Sequence, residues 1–102
     1  MITNGTYTPL PLRVLLEVSG PDRISFLQGL VTQDVSDLAQ MGLKYSALLS
    51  PQGKIQFDFF VFEQGNTVCL DVENMGRAEA LLQRLNMFKL RKNIDIKIQQ
   101  KQ

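Results

Sequence analysis

YSALLSPQGKIQFDFFVFEQGNTVCLDV, residues 45–72, decides the fold. Two tight turns cut it into three short apolar runs. Ser50-Pro51-Gln52-Gly53 sets a proline, with its fixed φ, before a glycine free to take positive φ. Gln64-Gly65-Asn66 is the second turn. Between them, residues 54–62 hold four of the chain's six phenylalanines. Alternation puts Ile55, Phe57, Phe59 and Val61 on one face and Gln56, Asp58, Phe60 and Phe62 on the other. A strand apolar on both faces belongs in mid-sheet, covered on each side.

Outward from that stretch, residues 13–19 (RVLLEVS) read as a first strand. Gly20-Pro21-Asp22 opens a helix, with proline suited to the first turn and Asp22 to the positive end of the helix dipole. Ile24, Phe26, Leu27, Leu30 and Val31 continue it at helical spacing, and residues 32–38 read as a cap and one more short turn. On the other side, Asn74 caps a second helix whose stripe is Ala78, Leu81, Leu82, Leu85 and Phe88. Lys89, Arg91 and Lys92 sit at its negative end. Ile94, Ile96 and Ile98 alternate in a last strand. The order predicts an α+β, ferredoxin-like (split βαβ) antiparallel sheet, both helices on one face, with residues 45–49 as an extra hairpin strand. Two helices cover one face of such a sheet, so part of the aromatic strand is left facing water. A second domain or a second copy of the chain would hide it.

At 102 residues the chain is expected to form a single domain, 1–102, with a modest core. Net charge is +1, so no broad pull toward nucleic acid or membrane is implied. There is no histidine, the commonest general base and metal ligand. The one cysteine, Cys69, rules out an internal disulfide and fits a reducing, cytoplasmic setting. Residues 1–12 have neither the basic nor the apolar region of a secretory signal, and no apolar run is long enough to span a membrane.

Nucleotide-binding loops and the common hydrolase motifs are absent. Cys69 alternates with Val68 and Leu70 and reads as a buried, inert thiol. Asp34 and Asp37 read as a solvated helix end. Asp58, between phenylalanines, needs a partner, with Lys54 or Arg13 the candidates for an ion pair. Glu73-Asn74 closes a strand, where either ligand contact or a helix cap would fit. Residues 54–62 also resemble the aromatic strand of an RNA-recognition motif, without its glycines or a basic surround. A stand-alone dimerisation or regulatory domain is a third reading.

Three blocks, GPDRISFLQGLVTQDV, ALLSPQGKI and FKLR, together resemble the YgfZ family, folate-binding relatives of the glycine-cleavage T-protein (aminomethyltransferase). The resemblance runs from about Val14 to Ile98. It implies roughly the first third of a longer, three-domain protein whose central channel binds tetrahydrofolate. It also implies a part in iron–sulfur cluster assembly or repair and, in bacteria, in tRNA modification, with folate and iron–sulfur proteins as partners. The family's Lys-x-Cys-Tyr-x-Gly-Gln-Glu block is not in this chain. Where the T-protein carries two adjacent acids, the first of them catalytic, this chain reads Phe57-Asp58. A phenyl ring exchanges no proton, so no transferase activity is expected, whereas ring stacking on folate stays open. The implied folate-binding residues are Phe57, Asp58, Val72 and Glu73, with Phe57 on the uncovered side of the sheet.

Overall fold

A computed structural model describes residues 14–33, 35–36 and 42–100. Residues 1–13 and the Asp34–Asp37 pair lie outside these residues, as does Leu38 at the end of the turn expected at 32–38. The elements are β1 (Val14–Ser19), α1 (Arg23–Gln28), β2 (Lys44–Leu49), β3 (Ile55–Gln64), β4 (Thr67–Val72), α2 (Met75–Lys89) and β5 (Asp95–Gln100). They form one antiparallel sheet in the order β2-β3-β4-β1-β5. Removing the edge strand β2 leaves two interlocked split βαβ units, the ferredoxin-like arrangement expected, and β2 hairpins onto β3 as the extra strand.

Both helices lie on one face. Under them pack Val14, Leu16 and Val18 of β1, Phe57, Phe59 and Val61 of β3, Val68, Leu70 and Val72 of β4, and Ile96 of β5. Phe26 and Leu27 of α1 and Ala78, Leu81 and Leu85 of α2 complete the core. The second helix keeps its predicted start: Asn74 Oδ1 accepts from the Arg77 N–H at 2.9 Å. Its stripe ends earlier than expected, since Phe88 is 42% exposed.

The first helix is shorter than predicted. It stops at Gln28, and Val31 leaves it to bridge Leu48 on the outer side of β2. Thr32 continues the seal, its N–H donating to the Ala47 carbonyl while its hydroxyl accepts from the Ala47 N–H. The chain thus gives up a helical turn to close the edge of the sheet, where unpaired backbone groups would otherwise stand. Asp22 also differs from expectation. Its carboxylate accepts from the Asn93 N–H at 2.7 Å, tying the β1–α1 loop to the α2–β5 loop instead of capping its own helix. Gly20, at φ +110°, makes that contact possible, because a Cβ there would sit 2.5 Å from the Asn93 carbonyl oxygen.

The hairpin between β2 and β3 carries a bulge. Leu48 opposes Phe57 but Leu49 opposes Ile55, so Gln56 is the extra residue. The expected alternation therefore holds for Phe57, Phe59 and Val61 and fails at Ile55, which is 64% exposed.

Gly20→Ala is expected to cost about 1–3 kcal/mol from its φ and the Asn93 clash, and Leu81→Ala about 2–5 kcal/mol from an unfilled core cavity. Urea denaturation of each variant measures both.

Candidate functional site

The sheet face away from the helices is built by alternation and register. It presents Tyr45 and Ala47 of β2, Asp58, Phe60 and Phe62 of β3, Cys69 and Asp71 of β4, Leu15 and Glu17 of β1, and Lys97 of β5. Tyr45 lies opposite Phe60, their rings edge to face with centroids 5.4 Å apart. The Tyr45 hydroxyl donates to the Asp58 carboxylate. That hydrogen bond, followed by desolvation and the Asp58 charge, raises the Tyr45 pKa, because each favours the neutral phenol. An aromatic pair and an oriented carboxylate therefore stand together, exposed, at the β2–β3 end of this face, while Ala47 and Cys69 on the same face are buried. Such a surface can stack a flat ring and accept hydrogen bonds from its N–H groups.

Among the described residues, this face carries Glu17, Asp58, Asp71 and Asp95 against Lys97. A phosphate backbone calls for the opposite sign beside the aromatics. Cys69, between Glu17 and Phe62 across neighbouring strands, is 1% exposed. Burial first, then the Glu17 charge, pushes its thiol up, the opposite of an activated nucleophile. Among the described residues no group of three His, Cys, Asp or Glu side chains is placed to hold a metal.

The four residues expected to contact folate are divided by the sheet. Asp58 is exposed on the face away from the helices and accepts from the Tyr45 hydroxyl; Arg13, one of its two expected ion-pair partners, lies outside the described residues. Glu73 is exposed just past the end of β4, beyond the last β3–β4 pair, Phe60 with Asp71. Val72 is buried in the core beside Val14. Phe57 corrects the expectation of its orientation. It faces the helices, 9% exposed, with the Arg77 guanidinium 4.9 Å from its ring centre. The reason is packing: Phe57 continues the row of Phe59 and Val61 that α2 covers. Sequence reasoning missed Tyr45. Its signal was its place one hairpin register from Phe60, with Asp58 two residues further along that face.

Phe57 also walls a shallow groove on the helix side, about 510 Å³, together with Gln56, Arg77, Ala80, Arg84 and Met87. The bulge brings Gln56 to α2: its carbonyl accepts from Arg77 Nη2 and its Oε1 from Arg84 Nη2, both at 2.5 Å. This cluster was not anticipated from the sequence, since the bulge that creates it has no local motif.

No protein-family profile matches the chain. Among curated proteins it is similar to the "iron-sulfur cluster assembly factor IBA57 homolog, mitochondrial" of Phaeosphaeria nodorum. The two are 34% identical over 95 residues, 86% of this chain and 23% of that protein. The protein of the same name from Pyricularia oryzae is 31% identical over 96 residues, 90% of this chain and 24% of its own. The aminomethyltransferase of Bacillus subtilis is 41% identical over 64 residues, 63% of this chain and 18% of that enzyme. Among solved structures, the glycine cleavage system aminomethyltransferase T from Bartonella henselae superposes with a TM-score of 0.74. It is 23% identical and covers 85% of this chain and 24% of its own, a likeness of fold. The chain thus spans about a quarter of the length of the relatives it matches, rather than a third.

Asp58→Ala is expected to bring the Tyr45 ionisation back down toward the ordinary tyrosine value, read as tyrosinate absorbance in a Tyr7→Phe background. Since the folded-state pKa is raised, the interaction's contribution to stability is present below the ordinary tyrosine range and is lost as pH rises through the raised value. Cys69 is expected to resist iodoacetamide in the folded chain and to react readily in denaturant, as followed by mass.

Proposed function

The chain belongs to the YgfZ family, the relatives of the glycine-cleavage aminomethyltransferases, and from that premise we propose that it is a folate-binding module of an iron–sulfur cluster assembly factor, with no transferase activity of its own. The observation that carries this reading is similarity to both kinds of relative at once, together with an open sheet face on which Asp58 is held beside the Tyr45–Phe60 ring pair. A reduced pterin is flat and rich in N–H donors. Its ring would lie on Phe60 and Tyr45, and its N–H groups would donate to Asp58 and Glu73. Phe57 and Val72 support this face from behind, out of reach of the ligand.

The absence of transfer chemistry follows from Phe57. The position that the resemblance matches to the transferase's carboxylate is a phenyl ring packed into the core, with no proton to exchange. The chain is one domain of a longer protein in this reading, and the remaining domains cover the open face. Alone, the chain would hide that face against a second copy. Its clients are iron–sulfur proteins, those of tRNA modification among them. A reducing compartment belongs to the same reading, on the strength of the buried Cys69 thiol; the names of the fungal relatives assign those proteins to mitochondria. No helix among the described residues is long and apolar enough to cross a membrane.

Calorimetric titration with tetrahydrofolate tests the assignment. The chain is expected to bind it, Asp58→Asn and Glu73→Gln each to weaken binding about tenfold through a lost charge-assisted hydrogen bond, and Phe57→Leu to leave it nearly unchanged. No binding, or binding by both acid variants as tight as the parent's, overturns it; salt-sensitive RNA binding in its place would favour the RNA-recognition reading.

A further inference from the structure

The groove between α2 and the bulge of β3 is a second surface with chemistry of its own. Arg77, Ala80, Arg84 and Met87 form an i, i+3, i+7, i+10 stripe beside the core stripe of α2. The two arginines are seven residues, or about 10 Å of helix, apart. Their recorded hydrogen-bond partners are the two neutral oxygens of Gln56, which orient the guanidinium groups without cancelling their charge. The Phe57 ring beneath Arg77 adds a cation–π contact that holds its plane. Each guanidinium has five N–H donors, so most of the fork remains for an incoming anion. Phe57, Ala80 and the exposed Met87 give the groove apolar lining beside the two cations, and Gln83 completes it.

We propose that this groove binds an acidic peptide segment of a partner protein, Arg77 and Arg84 taking two of its carboxylates and Met87, Ala80 and Phe57 supporting the aliphatic stems beside them. A peptide fits better than a small anion because the groove is open and would leave a small ligand largely in water, whereas ligand pockets bury most of what they hold. Arginine forks engage carboxylates bidentately, and the apolar lining favours glutamyl side chains with methylene stems. The groove lies on the opposite side of the sheet from the proposed folate face, so the two assignments stand or fall separately.

Fluorescence anisotropy with a fluorescein-labelled hexaglutamate peptide tests the proposal, with labelled hexaglutamine as the neutral control. The chain is expected to bind hexaglutamate and not hexaglutamine, more weakly as salt rises. Arg77→Gln and Arg84→Gln should each weaken binding about tenfold, the loss of one charge-assisted contact. Met87→Glu, at an exposed position that leaves the core intact, should weaken it comparably by repulsion. Arg91→Gln with Lys92→Gln, outside the groove, should leave it unchanged. The proposal is overturned if hexaglutamate does not bind, if the groove variants bind as well as the parent, if the Arg91/Lys92 variant alone loses binding, or if inorganic phosphate displaces the peptide at equal concentration.

Discussion

Two helices can shelter one side of a five-stranded sheet, and that shortfall governs the rest of the molecule. β3 is apolar on both faces, so whichever residues α1 and α2 leave uncovered stay at the surface as an aromatic patch. Phe57, Phe59 and Val61 take the covered side with the valines and leucines of β1 and β4. Phe60 and Phe62 take the other, where Tyr45 leans on Phe60 and points its hydroxyl at Asp58. An acid that would be costly among phenylalanines thereby stays solvated and oriented. Among the described residues, this face is consequently aromatic and carries more acids than bases.

The single-residue bulge at Gln56 has effects beyond its size. It breaks the alternation at the start of β3, so Ile55 is left exposed and Gln56 is brought to α2. Bulges commonly re-aim side chains near the rims of sheets. Here the consequence is electrostatic: both oxygens of Gln56 fix the two arginines of α2 along one groove. At the opposite end of the sheet, backbone and carboxylate contacts between Asp22 and Asn93 do comparable work, fastening the start of α1 to the entry of β5. They require Gly20 because no Cβ fits against the Asn93 carbonyl.

Membership of the YgfZ family and burial of Phe57 bear together on the function we propose. The fold matches that of an aminomethyltransferase, while the position that the resemblance aligns with the transferase's carboxylate holds a core side chain. A hydrocarbon ring there adds to the core and carries no proton to exchange. The Cys69 thiol, buried in mid-sheet, is pushed up by burial and then by the Glu17 charge.

Local chemistry alone determined the element order, the Pro–Gly and Gly–Asn hairpin turns and the Asn74 cap. Each depends on neighbours within a few residues, through dihedral preference, capping or period-two alternation. The family was legible too, in three blocks that keep their spacing. Tertiary structure decided which side of β3 meets the helices, and so turned Phe57 inward. It also ended α1 early to seal the edge of β2, and set Gln56 against Arg77 and Arg84. Alternation sorts a strand's residues into two sets but carries no sign; which set is buried depends on where helices distant in sequence come to rest.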